Sequence, residues 1–350
     1  MKIAYLIDKE AIGGGGEYIR RKIAALGEGD EGRAFYADKG ECTWKALREW
    51  GAERVVVNHL RAAVQLFNPL KWENRSNLFS HLRAREGTRG TIVFVVHGIH
   101  LRKYDWMPRT IVNRVKRELR RRLESWIYHR CDRIVALTET DRKDILKLYG
   151  EDLNVVVEPN TLEGWEMARE ARAVPSTAVA LDREAAEGEF KYICIGRFDF
   201  QKGQDRWIRY IAREGTRGTP HIAREGTRGT PQRTLFVGDG PMLGKCKRLA
   251  KELGIEELFE FAGAIPDADR FLRDTECRGR LDREAAEGSR RTEYRGRLDR
   301  EFIVVAPSRW EGMPYLMMKA RALGCRVLAT DCPGNRDVLA GYERWKRLEL

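Results

Sequence analysis

KYICIGRFDFQKG, residues 191–203, passes from an apolar run rich in β-formers, through Gly196 and a loop bearing Arg197 and Lys202, into a helical pattern from Gly203 to Ala212. A strand feeding a glycine turn and then a helix is the unit from which parallel sheets are built. The unit recurs downstream: TLFVGDG (234–240) precedes helical MLGKCKRLAKELG (242–254), LFEFAG (258–263) precedes a short helix expected after Pro266, FIVVAPS (302–308) precedes a helix over 314–323, and RVLATD (326–331) closes the series. It also recurs upstream, where KIAYLI (2–7) meets the glycine run IGGGGE (12–17) and the helix EYIRRKIAAL (17–26). VVVN (55–58), TIVFVVHG (91–98), DRIVALT (132–138) and LNVVVEPN (153–160) follow as short buried strands. Residues 109–130 predict a long amphipathic helix, with Val115, Leu119, Leu123, Trp126 and Ile127 on an apolar face and Lys116, Arg117, Arg120 and Arg121 on a basic one. The expected fold is α/β with two Rossmann-like domains, 1–165 and 190–350, joined by a linker over 166–189 where periodicity fades.

Composition supports that division and narrows the function classes. A chain of 350 residues that is 42% hydrophobic has enough apolar material for two cores. The 65 Lys plus Arg against 53 Asp plus Glu leave +12, a mostly balanced charge rather than a polybasic tail. No stretch approaches the ~18 apolar residues of a membrane span, and the start MKIAYLIDKE turns acidic too early for a signal peptide. The expectation is a cytoplasmic protein. Seven cysteines, at 42, 131, 194, 246, 277, 325 and 332, form no C-x-x-C pair, which argues for idle reduced thiols. Two identical-repeat families stand apart: AREGTRGT at 84–91, 212–219 and 223–230, and LDREAAEG at 181–188 and 281–288, with RGRLDRE at 278–284 and 295–301. They are polar, unevenly spaced and too short to stack, so they predict surface loops rather than a repeat architecture. Interleaved aromatics are nearly absent from them, which argues against nucleic acid as a partner.

Four strand-to-helix junctions carry the chemistry. Glycines at 13–16, including Gly14, Gly15 and Gly16, allow close backbone approach to an anion at a helix start, although a glycine run also makes a plain turn. Arg197 and Lys202 after Gly196 could clamp a diphosphate, one as a planar fork and the other as a point charge. Gly238, Asp239 and Gly240 form another glycine turn that opens a helix. In the fourth, Glu311 and Gly312 place a carboxylate in a strand-to-helix loop. The plainer alternatives are solvated charges for Arg197 and Lys202, a helix-stabilising carboxylate for Glu311, and a structural histidine at His97 and at His100.

In this order and spacing, G-R-x-x-x-Q-K-G, F-V-G-D-G-P, K-x-L-G-I, F-x-G and A-P-S-R-x-E-G-x-P over about 190–338 resemble the retaining GT-B glycosyltransferases of family 4. The first half is similar more loosely, through the glycine run, the H-G at His97 and D-R-I-V-A-L-T at 132–138. The resemblance implies GT-B architecture and transfer of a hexose-type sugar from a nucleoside-diphosphate sugar, UDP or GDP type left open, to a glycan or lipid-linked acceptor, as in cell-surface polysaccharide synthesis. It implies retention of configuration, no cofactor and no metal. Arg197 and Lys202 would hold the donor diphosphate, Glu311 would contact the transferred sugar, the glycines would face the phosphates, and His97 would lie near sugar and acceptor. Preorganised cations suit a leaving group that gains negative charge as its bond breaks. Where the family carries a second glutamate for the ribose, this chain has Lys319, a side chain with donors and no acceptor. Asp337 stands where glutamate is usual, and the segments 213–232 and 276–301 fill normally shorter loops. The family pattern also runs beyond Leu350, so the second domain is expected to be incomplete at its C-terminus. Two other readings follow: a catalytically impaired glycan-binding or scaffold protein, motivated by Lys319, and adhesion of the basic face of helix 109–130 to an anionic membrane surface at the inner face of the membrane.

Overall fold

The computed structural model describes residues 1–9, 14–67, 91–162, 190–216, 232–265, 272 and 298–350. Contacts divide the chain into two compact units: Met1–Asn160 with Trp310–Met313, and Thr161–Arg309 with Pro314–Leu350. In the first unit, β1 (Lys2–Ile7), β2 (Glu31–Tyr36), β3 (Arg54–Val57), β4 (Ile92–Val96), β5 (Arg133–Ala136) and β6 (Val155–Val157) form one sheet in the order β2-β1-β3-β4-β5-β6. Every pairing is parallel. The unbroken apolar run of β4, buried at all five positions, is what a parallel strand covered on both faces requires. The order reverses between β1 and β3, so the carboxyl ends of those strands form the crevice where such sheets bind ligands.

The second unit repeats the plan. Strands β7 (Phe190–Ile195), β8 (Arg233–Val237), β9 (Phe259–Gly263), β10 (Leu298–Ala306), β11 (Arg326–Ala329) and β12 (Trp345–Arg347) lie in the order β12-β11-β10-β7-β8-β9, again all parallel. Its reversal falls between β7 and β10. The loops after these two strands are those that carry Arg197, Lys202 and Glu311 in sequence. The core on one face is built from Trp207, Ile208, Phe236, Cys246, Leu249 and Val305, with the Trp207 indole N–H donating to Thr234 Oγ1 at 3.1 Å.

Helices differ from the sequence expectation in several places. The first, α1 (Gly14–Ala24), starts three residues early, so Gly14, Gly15 and Gly16 form its first turn rather than a loop; Gly13 lies outside the described residues. Three helices were not anticipated in the first unit: α2 (Trp44–Trp50), α3 (Leu60–Leu66) and α5 (Glu139–Tyr149), the last capped by Thr138, whose hydroxyl accepts from the Asp141 N–H. In the second unit α6 (Gln204–Thr216), α7 (Leu243–Glu252) and α8 (Tyr315–Ala322) match expected helices, while α9 (Pro333–Leu339) and β12 add elements beyond those read from sequence. The repeats are not wholly loops. Ala212–Thr216 continue α6, and Leu298–Glu301 open β10, whose register slips between Leu298 and Ile303. The remaining copies, the linker 166–189 and the helix expected after Pro266 lie outside the described residues.

The long helix α4 (Ile111–Tyr128) leaves much of its apolar face uncovered. Of the five residues read on that face only Ile127 is fully buried, while Val115 is 52% and Leu119 62% exposed. The side that packs inward carries Glu124, Ile127 and Tyr128. Glu124 tolerates burial because it accepts from the Tyr149 hydroxyl and pairs with Arg120. Arg121 and Ser125 are fastened to the Leu148 and Tyr149 carbonyls at 3.2 and 3.0 Å, which fixes the rotation of the helix. Ile111, Val112, Val115, Leu119 and Leu123 therefore form an exposed stripe. No helix among the described residues is long and apolar enough to cross a membrane. Urea denaturation checks this orientation: Val115→Gln and Leu119→Gln should shift stability by no more than about 0.5 kcal/mol. Ile127→Ala should cost about 2–5 kcal/mol.

Candidate functional site

Two clusters of predicted residues emerge, one in each unit. In the second, the loop after β7 folds back on itself. Asp199 braces it from inside: its carboxylate accepts from the Lys202 backbone N–H at 2.9 Å and lies 3.5 Å from Arg197 Nε. The Lys202 stem runs beside Gly196, where an added Cβ would stand 3.8 Å from it. Gln204 donates to the Arg197 carbonyl at 3.0 Å. Arg197 and Lys202 thus belong to one folded turn, with the Arg197 side chain 58% exposed.

The neighbouring glycine turn is packed against this loop, backbone on backbone. The Phe198 N–H donates to the Asp239 carbonyl at 2.9 Å, and the Met242 N–H donates to the Phe198 carbonyl at 2.9 Å. A Cβ on Gly238 would stand 2.0 Å from the Gly196 carbonyl oxygen, and one on Gly240 would stand 2.4 Å from that of Phe198. Both glycines also have φ near +150°. Their lack of a side chain is accounted for by packing between the two loops. Asp239 accepts from the Gly240 N–H at 2.6 Å and closes the turn.

A third loop is tied in by a residue to which the sequence assigned no role. Arg309 makes a two-pronged ion pair with Asp205 at 2.9 and 2.6 Å, donates to the Phe200 carbonyl at 2.8 Å, and stacks over the Phe200 ring at 4.1 Å. Its backbone N–H donates to the Gln201 carbonyl at 2.7 Å. Arg206 reaches the Pro307 carbonyl at 3.1 Å, and Gly203 leaves room for it, since a Cβ there would stand 2.3 Å from that oxygen. The signal was present as R-x-E-G after β10 and D in the first turn of α6, but only proximity pairs them. Lys319 lies in α8 and is buried, its ammonium 5.8 Å from the Tyr315 ring centroid.

In the first unit, His97 follows β4 and Asn58 follows β3. His97 Nε2 lies 3.1 Å from Asn58 Oδ1, and Tyr18 of α1 meets the imidazole edge-on at 4.9 Å. Burial, helped by repulsion from His59, lowers the His97 pKa to about 4, so the ring is neutral at physiological pH. The H-G and E-G pairs are packed together: a Cβ on Gly312 would stand 2.5 Å from the His97 carbonyl oxygen. Glu311 is buried, and Arg102 donates to its carbonyl at 3.4 Å while pairing with Asp141 at 2.9 Å and Asp144 at 2.7 Å. His97, Glu311 and Gly312 are thus brought together. Gly14, Gly15 and Gly16 lie in α1, with open space around Gly15. His100 is exposed and opens a 3-10 turn, His100–Trp106. Burial pushes the Cys42, Cys194 and Cys246 thiols up to about 12, leaving them unreactive.

Two parallel six-stranded sheets with alternating helices are the GT-B glycosyltransferase fold. Residues 72–162 match the model of Glycosyltransferase Family 4. An uncharacterized glycosyltransferase of Methanocaldococcus jannaschii is 25% identical over 158 residues, covering 45% of this chain and 30% of that protein; the match therefore spans under a third of the relative's length. Among solved structures, sucrose-phosphate synthase of Thermosynechococcus elongatus superposes with a TM-score of 0.57 at 14% identity, covering 95% of this chain and 82% of that one. HepE of Anabaena, in complex with UDP and glucose, gives 0.55 at 14% identity over 95% and 82% of the two chains. A point mutant of TarM of S. aureus, in complex with Fondaparinux, alpha-GlcNAc-glycerol and UDP, gives 0.52 at 14% identity over 87% and 48%. The chain is similar in part of its sequence to glycosyltransferases and has the GT-B fold of these solved structures.

The low pKa of His97 has a measurable consequence. As pH falls from the ordinary histidine value of 6.5 toward about 4, the unfolded chain takes up this proton before the folded one, so stability is full above 6.5 and is lost through that window. His97→Gln should flatten the pH dependence of the urea midpoint between these limits, and an unchanged slope would contradict the assignment.

Proposed function

We propose that this protein is a retaining hexosyltransferase that moves a sugar from a nucleoside-diphosphate sugar to a glycan or lipid-linked acceptor without a metal ion. The observation that carries this is the folded loop after β7, which sets Arg197 and Lys202 at the reversal point of the second sheet. The bond between the anomeric carbon and the donor phosphate oxygen breaks with its electron pair going to the nucleoside diphosphate. Arg197 and Lys202 offset the charge that develops there. The acceptor oxygen bonds to the anomeric carbon on the face the diphosphate leaves, and its hydroxyl proton passes to the departing phosphate oxygen. Glu311 contacts the transferred sugar, and His97 lies near sugar and acceptor. The UDP, UDP-glucose and glycan ligands named for HepE and TarM support this donor and acceptor class.

Isothermal titration with UDP, GDP and ADP tests the donor site. Binding of one of them, weakened roughly tenfold to a hundredfold in Arg197→Ala and Lys202→Ala, is expected for the loss of one charged hydrogen bond each. Absence of binding by all three would overturn the reading. Buried Lys319, at the position where the resemblance places a ribose-binding glutamate, favours as second reading a catalytically impaired glycan-binding protein. Sugar transfer that appears only in Lys319→Glu would establish it, and transfer by the wild type would dismiss it.

Peripheral attachment to an anionic membrane is part of the same proposal. The exposed stripe Ile111, Val115, Leu119 and Leu123 on α4 is bordered by Arg114, Lys116 and Arg122, the combination that seats a helix in a charged interface. In vesicle flotation the protein should rise with vesicles containing phosphatidylglycerol and not with pure phosphatidylcholine. Val115→Glu with Leu119→Glu should abolish flotation.

A further inference from the structure

Asn58 lies at the carboxyl end of β3, beside His97 at the end of the adjacent strand β4. Its side chain is 6% exposed and is held at both ends. The backbone N–H donates to the Leu6 carbonyl at 2.8 Å, and the side-chain amide N–H donates to the Val56 carbonyl at 3.2 Å. A carbonyl can only accept, so the Val56 contact fixes which end of the amide is nitrogen and turns Oδ1 toward the imidazole, 3.1 Å from His97 Nε2. Oδ1 also only accepts. The proton of the neutral ring must therefore sit on Nε2, and the lone pair on Nδ1. Tyr18, edge-on to the same ring at 4.9 Å, opposes rotation into another orientation.

We propose that Asn58 is a positioning residue that holds His97 in the Nε2–H tautomer, so that Nδ1 accepts a hydrogen bond from a hydroxyl of the sugar or of the acceptor. The proposal rests on the functional reading above for what meets Nδ1, but the tautomer itself can be tested without any substrate. A neutral acceptor of this kind takes a hydroxyl proton and offers nothing to a carboxylate or phosphate, so the group it meets is a neutral sugar or alcohol hydroxyl.

The test uses the full chain with its histidines labelled by nitrogen-15 and long-range proton–nitrogen correlation at pH 7.5. With six histidines in the sequence, the His97 signals are identified as those missing from His97→Ala. The expected wild-type pattern has Nε2 protonated, and Asn58→Leu, which keeps the side-chain size and removes the acceptor, should move His97 to a mixture or to the Nδ1–H form. Asn58→Asp, which restores an acceptor, should return Nε2–H. In transfer assays Asn58→Leu should lower kcat about tenfold, the scale of one misdirected hydrogen bond, with KM little changed. A wild-type His97 protonated on Nδ1 would overturn the proposal by itself, even if Asn58→Leu fails to fold. An Asn58→Leu spectrum identical to wild type would do the same. A wild type that shows the Nε2–H tautomer but transfers no sugar would leave the Asn58–His97 assignment standing and overturn the functional reading instead.

Discussion

The fork between Arg309 and Asp205 organises the loops after β7 and β10 in the second unit. Its two contacts, at 2.9 and 2.6 Å, join the end of the β10 strand-loop to the start of α6, and the Phe200 ring and the Gln201 carbonyl complete the grip. The Arg309 side chain is only 9% exposed, so both charges have lost much of their hydration, and each depends on the other. Planar guanidinium geometry makes this a directional joint as well as an attraction, which a lysine could not reproduce. Arg206 adds a second fastening to the Pro307 carbonyl. The loop bearing Arg197 and Lys202 is shaped by what fixes its far end, as much as by its own residues.

Glycines do related work at shorter range. Gly203, Gly238 and Gly240 each face a carbonyl oxygen that a Cβ would meet at 2.0 to 2.4 Å, so three loops can lie on one another with their backbones in contact. Beside His97, a Cβ on Gly312 would meet the His97 carbonyl oxygen at 2.5 Å. Residues whose pattern suggests close approach to a phosphate thus serve close approach of protein to protein. The two uses share one cause, because a missing side chain admits whatever is nearest. One carboxylate, Asp199, shapes the turn that carries both cations: it accepts from the Lys202 backbone N–H at 2.9 Å and lies 3.5 Å from Arg197 Nε.

Much of the strand framework was legible because parallel strands covered on both faces must be apolar throughout, and runs such as TIVFVVHG and KYICIGR announce themselves. The short helices α2, α3, α5 and α9 were harder. The seven-residue helices α2, α3 and α9 span two turns and show little periodicity, whereas the eleven-residue α5 had a readable start in Thr138 followed by Asp141. Strand β12, WKR, has no apolar run at all and exists because β11 offers it an open edge. Helix α4 was legible as amphipathic but not in its orientation. Periodicity locates an apolar face but does not say which face the protein covers, and Glu124 turns inward because Tyr149 and Arg120 satisfy it.

For the site, the sequence by itself determined the residue types and their order along the chain: two cations after one strand, a carboxylate after another, a histidine after a third. Those follow from local spacing, which a linear string records. Only the tertiary structure decided that Arg309 reaches Asp205, that Gly238 is filled by the Gly196 carbonyl, and that Asn58 faces His97 with its oxygen. Each of these partners is separated by tens of residues or more and meets through parallel strands whose order is not their order in sequence. The hydrogen-bond direction that fixes a tautomer depends on a third group, the Val56 carbonyl, whose position exists only once the sheet has formed.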